Sequence, residues 1–124
     1  MTVAELITIV NNNMPNDIHE SSIVNWVNIL EDTMYSKFIK MAEKPKLKSV
    51  ENIGADELAL YQFGHRWVLL YEYFVYGQIC LLNEEYGKAN NYFMLYNNLI
   101  DEFVQYYYPI MDNPVREARL KNFR

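Results

Sequence analysis

The spacing of apolar residues between Ala89 and Tyr107 constrains this chain more than any other feature. Ala89, Phe93, Tyr96, Ile100, Phe103 and Tyr107 follow one another at intervals of 4, 3, 4, 3 and 4, the a/d rhythm of a helix lying along another helix. Tyr92, Leu99 and Tyr106 run beside that seam and widen it, while Asn90, Asn91, Asn97, Asn98, Asp101 and Glu102 mostly fall outside it. The partner is the run before it. Val68, Leu69, Leu70, Tyr71, Phe74, Val75, Ile79, Leu81 and Leu82 cannot share one face, so a helix beginning near His65 and reaching Asn83 is apolar nearly all round. Such a helix must be covered on several sides, either as the central helix of the fold or with help from a neighbouring subunit. "NEEYG" at 83–87 supplies a tight helix-to-helix turn. A long antiparallel helical hairpin is predicted, and Pro109 is expected to stop its second helix.

Aromatics interleaved with asparagines also suit a stacking platform for bases. Only Lys88 lies nearby to hold a phosphate backbone, so the packed seam is the stronger reading. Upstream, "TVAELITIV" opens with Thr2 and Glu5 at capping-box spacing, and Val3, Leu6, Ile7 and Val10 form one face. "NNNMP" breaks that helix. Asp17 and Glu20 repeat the cap spacing ahead of a second amphipathic helix carrying Ile23, Val27, Leu30, Met34, Phe38 and Met41, with Trp26 alongside. "EKPKLKSVENIGADEL" has no sustained period and reads as a lysine-rich loop or short hairpin. The expected fold is an all-α bundle of about four helices.

The chain has 124 residues, enough for one domain that buries roughly two-thirds of its unfolded surface without disulfide or metal. Its one cysteine, Cys80, lies in an apolar run, reads as a core residue, and fits synthesis in a reducing compartment. "MTVAELITIV" lacks a basic n-region and does not read as a signal peptide. The longest apolar stretch, Trp67 to Leu82, is interrupted by Glu72 and Gln78 and is short for a bilayer, so a soluble protein is expected.

The net charge of −5 is segregated. Met1 to Ser36 holds five acids and no base, Lys37 to Lys48 has a balance of +4, Ser49 to Met111 has −6, and Asp112 to Arg124 returns to +2. A domain that grips nucleic acid by itself usually presents a basic face, and no helix here carries the basic side of a recognition helix. Two short basic clusters on an acidic body fit acidic partners better, with a solvated loop and tail as the plain alternative.

Catalytic signals are weak. His19 and His65 are far apart and read as surface or cap residues; no Cys pair and no helical His/Glu spacing supports a metal site. The four glycines never cluster as a phosphate cradle. Glu84 and Glu85 read as a solvated turn rather than an acid pair. No enzyme, cofactor or metal is expected.

The order of "VNWVNILEDTM", "LLYEYFVYGQI", "NEEYGKANNYFMLYN" and "FVQYYY" resembles the small head-tail connector (adaptor) proteins of long-tailed bacteriophages and prophages. The residues that carry the likeness are Trp26 and Glu31; Gly77, Gln78 and Ile79; and Asn83, Glu85, Asn90, Asn91, Tyr96 and Asn97. It covers most of the chain from Asn12 to Tyr108, and departs from the family's habit at Gly64, His65 and Ala89. The resemblance implies a structural virion protein: a homo-oligomeric ring, commonly of about twelve copies in closed cyclic symmetry. That ring docks beneath the portal protein, extends the DNA channel with non-specific DNA contact, and receives the next connector or tail component. It implies synthesis in the host bacterial cytoplasm, residence at the head-tail interface of the virion, and no membrane. Residues 1–111 would form the connector domain and 112–124 a basic arm. Arg116, Arg119, Leu120, Lys121, Phe123 and Arg124 are then portal-binding candidates, and Lys44, Lys46 and Lys48 candidates for the DNA channel or a ring contact. Trp26, Trp67, Tyr71, Phe74, Phe93, Tyr96, Ile100 and Phe103 are expected to pack the core or subunit contacts. The competing class is a small helical regulatory or anti-host protein that binds a single protein partner.

Overall fold

The computed structural model describes residues 1–37 and 44–111, with side chains up to Tyr107. Its helices are α1 (Val3–Asn13), α2 (Glu20–Lys37), α3 (Val68–Leu82) and α4 (Tyr86–Met111), with short 3₁₀ turns at Val50–Asn52, Ala59–Phe63 and His65–Trp67. Among the described residues there is no strand, only an isolated bridge between Thr2 and Glu57. The predicted all-α architecture with its α3·α4 hairpin is what the chain adopts. Phe38 and Met41, assigned to the second helix from their spacing, lie outside the described residues.

Local chemistry sets most helix ends. Thr2 and Glu5 close the capping box of α1, side chain to amide in both directions. Its first-turn amides are also met from afar, Val3 N–H by the Asp56 carbonyl at 2.9 Å and Ala4 N–H by that of Ile53 at 2.8 Å. The start of α2 differs from expectation. Glu20 is its first residue, and the residue before it is His19, whose Nδ1 accepts the Ser21 N–H at 3.1 Å. Asp17 does not cap it, because Asn16 organises that stretch, taking the Ile18 N–H at 2.9 Å and donating to the Met14 carbonyl at 2.8 Å. Gly64 separates the last two 3₁₀ turns at φ +133°, a backbone that side-chain-bearing residues rarely adopt. The hairpin turn bends at Glu84, which takes φ +58°. Contrary to the proline rule, α4 continues through Pro109 to Met111. Proline's fixed φ is itself helical, so the backbone can remain helical there although the missing N–H removes one hydrogen bond and the ring crowds the carbonyl four residues back.

The centre of the fold is α3. It packs along α4 and also touches α1 and α2, so neighbours within the chain cover most of its circumference. Val68, Leu70, Tyr71, Val75, Ile79 and Cys80 are all buried. Along the seam Ala89, Ile100, Phe103 and Tyr107 are buried, Phe93 and Tyr96 half-buried, and all six flanking asparagines and acids exposed. Gly77 permits the close approach of the two helices: a Cβ there would come within 2.5 Å of Phe93 Cε1. Toward the open end of the hairpin, Phe103 meets Trp67 edge-on at 4.9 Å between ring centroids and Phe63 at 5.6 Å. Toward its middle, Phe74 lies 5.4 Å from Tyr96. Trp26 is half-buried against the same core.

Candidate functional site

Two regions carry features that packing alone does not require: a buried polar network beneath the lysine segment, and the exposed apolar end of the hairpin. The network starts on α2. Val27, Leu30 and Met34 form its buried stripe, and Glu31 falls on the same side, 2% exposed. An isolated carboxylate there would be strongly unfavourable, so each of its oxygens must be met. Oε2 accepts the Ala59 N–H at 2.7 Å and the Tyr71 hydroxyl at 2.8 Å; the Tyr71 oxygen in turn accepts the Leu60 N–H at 2.9 Å. Oε1 faces the Lys48 ammonium at 2.6 Å, off the direction of a hydrogen bond, so the contact there is ionic. Burial pushes the Tyr71 phenol well above its ordinary value, and the neighbouring Glu31 charge adds to that.

Lys48 reaches this carboxylate because its main chain is gripped one turn earlier on α2. Asn28 Oδ1 accepts the Lys48 N–H at 2.9 Å and Asn28 Nδ2 donates to the Lys48 carbonyl at 3.1 Å. The Lys48 ammonium also donates to the Lys46 carbonyl at 2.9 Å. Of the three lysines assigned from sequence to a DNA-channel or ring contact, Lys44 and Lys46 are exposed and Lys48 is buried. Lys48 is therefore corrected from surface contact to structural pin: a buried ammonium held against a carboxylate cannot meet a phosphate as well. A groove of about 500 Å³ beside the segment sets Lys44 and Lys46 against Asp56 and Glu57, so this surface is of mixed sign.

The second region is the hairpin end. Leu82 and Tyr86 are each 60% exposed, with Leu81 beside them, and Met94 and Leu95 are exposed on α4. Cys80 is buried just beneath, and burial raises its thiol pKa. Glu85 pairs with Lys88 at 2.9 Å on the turn, and Arg66 with Glu102 at 3.2 Å. Arg66 also lies over the Trp67 ring at 4.4 Å. His65 is exposed and edge-on to Tyr61.

Among the described residues no group of three His, Cys, Asp or Glu side chains is placed to hold a metal ion, and no described helix is long and apolar enough to cross a membrane. Arg116, Arg119, Leu120, Lys121, Phe123 and Arg124 lie outside the described residues. Asn28 and the Glu31–Tyr71 contact were missed by reading the sequence for function. The available signal was Glu31 itself, a charge at i+4 from Val27 on an apolar stripe. No protein-family model, curated protein or solved structure matches the chain.

Proposed function

We propose that this protein is a non-enzymatic head-tail connector (adaptor) of a long-tailed bacteriophage or prophage. In this reading it forms a ring beneath the portal, extends the DNA channel and joins the capsid to the next connector or tail component. The observation that carries the reading is the hairpin, whose end leaves Leu81, Leu82 and Tyr86 exposed while the opposite end is closed by the Phe63, Trp67, Phe103 and Tyr107 cluster. Three exposed apolar residues grouped at one turn favour contact with other protein. Lys44 and Lys46 are free to face DNA or an acidic neighbour. Arg116, Arg119, Lys121 and Arg124 would pair with portal carboxylates while Leu120 and Phe123 seat in an apolar groove.

Electron microscopy of the purified protein, alone and mixed with rings of its portal, tests the proposal. A ring of copies, alone or on the portal, supports it. A monomer that leaves portal rings undecorated overturns it in favour of a regulatory protein with a single partner. A chain truncated after Asp112 is expected to melt like the full chain and to fail to bind the portal; full binding would remove the arm from the mechanism.

A further inference from the structure

The grip on Lys48 uses nothing that belongs to Lys48 alone. Asn28 holds a main-chain N–H and C=O, Glu31 holds an ammonium, and that ammonium donates to the carbonyl two residues earlier. The segment reads Lys44-Pro45-Lys46-Leu47-Lys48, so Lys46 offers the same N–H, C=O and ammonium, with the Lys44 carbonyl two residues before it. We propose that this segment has two registers, and that in the second Lys46 replaces Lys48 on Asn28 and Glu31 while Leu47 and Lys48 loop out ahead of Ser49.

The intervening residue permits the exchange. In the second register Pro45 stands where Leu47 stands now. Leu47 is 80% exposed, and among the described residues no hydrogen bond engages its N–H, the one main-chain group that proline lacks. The receptor also survives without Lys48. Glu31 Oε2 keeps the Ala59 N–H and the Tyr71 hydroxyl, both from elements outside the segment. The slip runs one way only, because a shift in the opposite sense would bring Val50 to the carboxylate and leave it without a cation.

The downstream side favours the observed register. Ser49 N–H donates to Asp56 Oδ2 at 3.0 Å, Asn52 Nδ2 donates to Ser49 Oγ at 3.1 Å, and Val50 and Ile53 pack against the core. A two-residue slip moves about 7 Å of extended chain from one side of Asn28 to the other. The connection between α2 and α3 thus changes its slack while Asn28 and Glu31 exchange one lysine for another.

Trace acetylation of the folded protein, read lysine by lysine by mass spectrometry, tests the two registers. In the unaltered chain Lys44 and Lys46 label fast and Lys48 slowly, through the second register. Lys46→Ala removes an exposed ammonium and closes that register, so Lys48 labelling is expected to fall. Lys48→Ala is expected to protect Lys46 down to the level that Lys48 shows in the unaltered protein. Unchanged Lys48 labelling in the Lys46→Ala chain would mean that Lys48 is reached only through unfolding, and would overturn the proposal. That arm decides the matter even where Lys48→Ala fails to fold.

Discussion

The α3·α4 hairpin and the segment from Lys44 to Lys48 are held by opposite kinds of force. The hairpin closes by apolar contact over its length: aromatic rings meet edge-on, Gly77 lets Phe93 come close, and the polar residues stay outside. The lysine segment buries little apolar surface before Ser49 and is fixed by pins, chiefly one side-chain amide and one carboxylate. Apolar contact is diffuse and tolerates the loss of one member in part. Pinning concentrates the same task in a few groups whose desolvation must be met in full.

That contrast can be broken at several points. Phe103→Ala is expected to cost about 4 kcal/mol in urea unfolding, because it empties the centre of the aromatic cluster. A loss under about 1 kcal/mol would place the core of the hairpin elsewhere. Glu31→Ala should cost about 3 kcal/mol, since it leaves a buried ammonium without its counter-charge and a hydroxyl and an amide without their acceptor. If it proves as mild as an exposed substitution, the segment is held by packing after all. Gly77→Ala is expected to cost about 2 kcal/mol by pressing a Cβ into the Phe93 ring. Phe93→Leu in the same chain should recover part of that loss in thermal melts.

A smaller effect appears at alkaline pH. Burial, the largest cause, pushes Tyr76 to about 12 and Tyr71 upward as well, so both phenols hold their protons more tightly folded than unfolded. Their contribution is complete below pH 10, the ordinary tyrosine value, and declines as pH rises from there through the folded values. Unfolding midpoints measured across that range should fall, and fall less steeply in Tyr76→Phe. The smallest effect belongs to the exposed lysines. Lys44→Glu with Lys46→Glu should change stability by no more than about 0.5 kcal/mol. In the proposed connector these reversals instead weaken docking or genome retention, which particle infectivity measures.

What the sequence discloses follows the same division. The capping box at Thr2, the 4-3-4 spacing from Ala89 to Tyr107 and the turn after Leu82 are all written within a few residues, where chain geometry decides who meets whom. Lys48 is not legible in this way. Lys44, Lys46 and Lys48 look alike in the chain, and the difference between them is imposed by Glu31 and Asn28 on a helix far upstream. Pro109 marks the limit of a local rule, because its fixed φ is compatible with a helix even where its missing N–H and its ring oppose one.

The start of α1 has a consequence for the order in which the molecule assembles. Two of its first-turn amides are met only by carbonyls at Ile53 and Asp56, so finishing that helix requires closing a loop of about fifty residues. The hairpin closes across a turn of a few residues and meets far less entropic resistance. Folding is therefore expected to begin at the α3·α4 turn and to end with α1 settling into place. In pulse-labelled hydrogen exchange the Phe103 amide should become protected before those of Val3 and Ala4, and simultaneous protection would mean that the long loop closes within the rate-limiting step itself.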